Sequence, residues 1–79
     1  MKVFSLWQAP VGSQCKVKKI NLNKSEKERI LDLGMIPGTN IKVLQKSPLG
    51  DPTAYLIRGS VIALRSEYTK KITIEKIWI

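Results

Sequence analysis

Polar and apolar residues alternate at first along 15–20, with Cys15 and Val17 on one side and Lys16 and Lys18 on the other. A period of two belongs to a strand with one buried face. Residues 21–24 read as a turn. Ser25-Glu26-Lys27-Glu28 then fits a capping box, in which a side-chain oxygen takes a first-turn amide and a carboxylate reaches back. Asn23 with Glu26 fits the same pattern, and both helix starts stay open. The helix runs to about Leu33, with Ile30, Leu31 and Leu33 as its apolar side. Gly34 ends it, because glycine tolerates the left-handed conformation that closes helices. So short a helix is not stable alone and needs tertiary packing.

Pro37-Gly38 presets a turn, since Pro fixes φ and Gly accepts a positive φ next to it. Residues 41–45 form a second strand and 48–53 a loop. Residues 54–57 and 61–64 are two more strands, joined by the tight hairpin Arg58-Gly59-Ser60. The polar stretch 66–71 contains one short helical turn. The last strand is 72–77, with Ile72 and Ile74 inward and Thr73 and Glu75 outward. Five short strands and one helix predict a mainly β fold, a small and strongly bent barrel or sandwich. With 79 residues the whole of 1–79 is expected to be one domain, without repeats or linkers.

The formal net charge of +8 raises a polyanion partner. The distribution argues for solvated surface instead: 11 of the 14 basic residues are Lys, scattered as singles and pairs without a block. The alternative to hold against this is a small nucleic-acid-binding barrel using Lys16, Lys18, Lys19, Lys42 and Lys46 on phosphates.

Catalytic chemistry is poorly supplied. There is no histidine, the usual acid-base group at neutral pH. Cys15 is the lone cysteine, without a His partner, and reads as a small buried hydrophobe on the first strand. Among the carboxylates, Glu26, Glu28 and Asp32 lie on a Lys-rich helix, where such patterning is a solvated face. Imidazole and paired-Cys metal spacings are missing, so neither a metal site nor a cofactor is expected. Gly34, Gly38, Gly50 and Gly59 build no phosphate-binding motif.

Gln8 and Pro10 interrupt any signal-peptide core, and no run approaches the ~20 apolar residues of a membrane span. A lone cysteine fits a reducing compartment, so the expected location is the cytoplasm, with no membrane insertion. The aromatics Phe4, Trp7, Tyr55, Tyr68 and Trp78 are dispersed and make no proline-recognising groove. Trp7 and Trp78 either pack together and close the barrel or leave one exposed as a patch. Weak self-association through such apolar ends stays open.

The candidate contact patch is the helix end and the turn after it. Leu33, Met35 and Ile36 crowd beside Gly34 and Pro37, while the helix must also bury Ile30 and Leu31. A helix this short cannot hide all five on one face. Leu33, Met35 and Ile36 are therefore the expected partner-binding residues, against the plainer reading that all five are core.

Five features in order carry a family resemblance. They are Pro10-Val11-Gly12, the charged helix, Leu33-Gly34-Met35-Ile36-Pro37-Gly38-Thr39, the loop Pro48-Leu49-Gly50-Asp51-Pro52, and Ile62-Ala63-Leu64-Arg65. From about residue 9 to 77 the chain resembles the FeoA family, small cytosolic accessory proteins of bacterial ferrous iron transport. The resemblance implies an SH3-like barrel with the helix inserted after the first strand. It also implies a non-enzymatic module whose partner is FeoB, a large membrane protein with a cytosolic GTP-binding domain. No nucleic-acid partner is expected.

Overall fold

A computed structural model of the chain describes residues 3–77. The alternation in 15–20 becomes β2 (Gln14–Ile20), and the later patterns become β3 (Asn40–Lys46), β4 (Thr53–Ile57), β5 (Ser60–Leu64) and β6 (Ile72–Ile77). One further strand, β1 (Val3–Ser5), precedes them and leads into a 3-10 turn at Leu6–Gln8. Among the described residues the expected five strands are thus six, and the helix α1 (Lys24–Asp32) follows the second strand rather than the first. α2 (Ser66–Thr69) is the helical turn expected in the polar stretch.

All six strands lie in one antiparallel sheet of order β1-β6-β2-β3-β4-β5. Register sets Cys15 beside Ile41, Ile41 beside Ile57, Val17 beside Ile74 and Val43 beside Tyr55. These side chains share one face and are buried. A sheet with one apolar face and no second layer of comparable size must curl on itself to cover it. Bulges between Val17 and Lys19 and between Val43 and Gln45 supply local bends. Leu6, Ala9 and Ile30 join the core from outside the sheet.

Cys15 and Tyr55 are both buried in that core. Burial raises the Cys15 thiol above its ordinary value of 9.0, against smaller opposing pulls from Ser13 and Lys76. Desolvation likewise raises the Tyr55 phenol above 10.0. The Thr53 and Thr69 hydroxyls beside it temper that rise, although neither meets a partner at full hydrogen-bond geometry. The folded state holds both groups neutral to higher pH than the unfolded chain does. Stability is therefore undiminished below the ordinary thiol value and falls as pH rises past it. Thermal melts are expected to show a Tm that drops from about pH 9 upward. A Tm that climbs there would contradict this placement of the two groups.

The helix is held at both ends. Asn23, rather than Ser25, is the N-cap, and its side-chain oxygen accepts the Glu26 amide at 2.8 Å. At the other end Gly34 takes φ +88, its N–H reaches Leu31 C=O at 2.9 Å, and the Met35 N–H reaches Ile30 C=O at 3.2 Å. That pair of bonds is a Schellman ending, which brings the residue after the glycine back onto the last turn. Met35 accordingly packs into the core with Ile30.

This corrects two sequence expectations. Leu31 is 38% exposed, because neighbouring helix positions diverge by about 100° and Ile30 takes the inward one. Met35 is fully buried, so its side chain forms the floor beneath the helix end and not its surface.

Candidate functional site

Three chain segments meet at the end of α1. The β4–β5 hairpin turns through Arg58 and Gly59, both at positive φ (50 and 82). This is the conformation that suits a two-residue hairpin between twisted strands. Arg58 then lies along the helix end, where its Nε donates to the Gly34 carbonyl at 2.9 Å. The guanidinium thus caps the carbonyl that follows the helix and meets the negative end of the helix dipole. A Cβ on Gly34 would stand 2.9 Å from Arg58 Cδ. Glycine is needed there both for its φ and for this close approach.

The turn that follows is braced by Thr39. Its hydroxyl accepts the Ile36 N–H at 3.1 Å and donates to the Gly34 carbonyl at 3.4 Å. The Gly38 N–H bonds to Val17 C=O at 2.7 Å, tying the turn to β2. On this fixed backbone Leu33 is 41% and Ile36 42% exposed. Of the three residues expected to bind a partner, two thus form an outward apolar ledge and Met35 supports it from below. Leu31 adds to the exposed apolar surface of the same helix end.

An open groove of about 460 Å³ begins beside this ledge. Gly38, Thr39 and Asn40 form one wall, and Arg58 and Gly59 the other. Gln14, Lys42 and Leu56, side by side on the outer face of β2, β3 and β4, contribute to its lining. Its charged lining side chains are both cationic.

Three of the five lysines of the nucleic-acid alternative have different surroundings. Lys42 lines the groove, Lys18 approaches Glu75 at 3.9 Å, and Lys46 stands over the Trp7 ring at 5.1 Å. Lys70 covers the same ring at 5.4 Å, so half-buried Trp7 lies against two cations. Trp78, its expected companion, lies outside the described residues.

Among the described residues no three His, Cys, Asp or Glu side chains cluster as metal ligands. Anaerobic calorimetric titration with ferrous iron is expected to give no stoichiometric heat. A site of micromolar or tighter affinity would overturn that expectation. Cys15, with its thiol raised by burial, is unsuited to supply a thiolate. No described helix is long and apolar enough to cross a membrane.

The Arg58–Gly34 contact escaped the sequence pattern, since 24 residues separate its partners. Met35 had a legible signal: it directly follows a glycine at the helix stop, the position that folds back in a Schellman ending.

Comparison with known proteins adds a family to this geometry. The FeoA domain matches residues 4–76. A protein of Porphyromonas gingivalis, the Fe(2+) transport protein A/Fe(2+) transporter FeoB fusion protein, is 35% identical over 66 residues. That match takes in 84% of this chain and 8% of the fusion protein, so the chain spans under a tenth of its relative's length. The solved FeoA-like protein of Clostridium acetobutylicum is 32% identical with a TM-score of 0.90, over 100% of this chain and 92% of that one. FeoA of Stenotrophomonas maltophilia, solved with zinc and described as a procaryotic SH3 domain protein, is 21% identical with a TM-score of 0.79. That superposition covers 91% of this chain and 89% of the other, and it makes the curled sheet an SH3-like fold.

Proposed function

Because this chain belongs to the FeoA family, we propose that it is a non-enzymatic accessory module of ferrous iron uptake. It docks on the cytosolic side of an FeoB-type membrane GTPase-transporter. The observation that carries this is the Porphyromonas relative, in which a segment 35% identical to this chain shares one polypeptide with an FeoB transporter. Fusion holds two proteins at high effective concentration, which favours a contact between them.

The ledge of Leu33 and Ile36 is the docking surface. Its backbone is fixed before binding by the Gly34–Arg58 contact and the Thr39 brace. Docking there orders little chain, so less of the contact energy is lost to entropy. Apolar side chains exposed together on a rigid turn are a feature that marks partner sites.

The test is genetic. In a bacterium deleted for its own copy of the gene, anaerobic uptake of radiolabelled ferrous iron is expected to recover when this chain is supplied. Wild-type uptake in the deletion strain, or no recovery with the chain expressed and folded alongside its cognate transporter, would overturn the proposal.

A further inference from the structure

The sheet of the described residues ends in β5. It pairs with β4 on one side, and among the described residues no strand pairs with the other. The two-residue hairpin makes Ile57 and Ser60 the closing pair. Alternation then directs the backbone groups of Ser60, Ile62 and Leu64 into the ladder and those of Val61 and Ala63 away from it. No hydrogen bond among the described residues takes up these outward groups. Natural edge strands are blunted by charge, proline or a covering element. Ser-Val-Ile-Ala-Leu carries neither charge nor proline, and Val61 is 67% exposed.

Arg58 and Arg65 bracket this strand, both exposed and neither in an ion pair among the described residues; the Gly34 carbonyl engages Arg58 through Nε, which leaves the terminal guanidinium nitrogens for an acidic group. The nearby Asp51 carboxylate is engaged by the Ser66 N–H at 2.8 Å and by the Ser66 hydroxyl at 3.3 Å. Glu67 follows on α2, and Lys70 and Lys71 follow it. A second copy of the chain is a poor occupant. Antiparallel pairing of β5 with itself about Ile62 would set Arg65 against the Arg58-Gly59 turn of the copy, between two proteins of net charge +8.

We infer that the outer edge of β5 receives an extended acidic segment of another protein as an added strand. The backbone of Val61 and Ala63 supplies the hydrogen bonds, and the two arginines select acidic residues at the ends of the segment. This is strand addition, in which main-chain bonds give affinity and flanking contacts give specificity. A strand the length of β5 spans about 16 Å, so five or six residues of the segment fill the edge. The inference stands apart from the transporter reading, and its test needs no transporter.

The probe is a short synthetic peptide of alternating Val and Thr with Asp at both ends, added to the isotopically labelled protein. Amide exchange at Val61 and Ala63 is expected to slow on binding, more than at the ladder amides of β4. Val61→Pro removes only an outward N–H and is tolerated on an edge. It is expected to melt near the wild type and to bind the peptide about tenfold more weakly, the cost of one backbone hydrogen bond. A peptide with Lys in place of Asp is expected not to bind. The inference falls if the acidic peptide slows no β5 amide, or if a folded Val61→Pro binds it unchanged. It falls also if sedimentation shows the wild type to be a dimer that Val61→Pro abolishes, for then the edge belongs to a second copy. The exchange measurement on the wild type decides even if the proline variant fails to fold.

Discussion

Met35→Ala is expected to lower the free energy of unfolding by about 2–5 kcal/mol, the range for removing a large buried apolar side chain. Met35 has no exposed surface and packs with Ile30 at the closing turn of α1. Truncation leaves a cavity beneath the helix end and takes away a main support of a short helix. Against a typical total of about 5–15 kcal/mol the loss is large. Leu31→Ala is the paired control. Leu31 is 38% exposed, so its truncation is expected to cost well under half as much. Urea melts of the two variants measure both. A Leu31 variant less stable than the Met35 variant would mean that the opposite helix face is buried.

Leu33→Ser combined with Ile36→Ser is expected to abolish transporter-dependent iron uptake while leaving the barrel folded. Each side chain is more than two-fifths exposed, so its replacement removes little core. Covering the exposed parts of both side chains at an interface is worth about 2 kcal/mol, or roughly 30-fold in affinity. Loss of both therefore weakens docking by about that factor. Thermal melts and the uptake assay are read together. A folded double variant with wild-type uptake would remove the ledge as the docking surface.

How much of this was legible in the chain depended on the length scale of each signal. The strands at 15–20 and 72–77 were plain because alternation with one buried face repeats over several residues, and Ile72 and Ile74 are indeed buried. The Arg58-Gly59 turn was equally plain, since local residue chemistry decides a tight hairpin. β1 is three residues long, too short for a period to declare itself, and its pairing partner β6 lies at the other end of the sequence. The helix is legible in the chain, but its buried face is not. Ile30 and Leu31 are both apolar, and only tertiary packing selects between adjacent positions. Of the expected site, Leu33 and Ile36 are exposed, whereas Met35 turns inward because Gly34 does more than stop the helix. The Arg58–Gly34 bond, the groove and the open edge of β5 are properties of the assembled sheet. No local pattern encodes them.

The most direct measurement is an anaerobic calorimetric titration of this protein with the purified cytosolic domain of the FeoB-type transporter proposed as its partner. Saturable binding by the wild type is expected, lost when Leu33 and Ile36 are both replaced by Ser in a variant that still melts cooperatively. No binding by the wild type would contradict the docking role itself. Equal binding by the folded double variant would contradict the surface assigned to it.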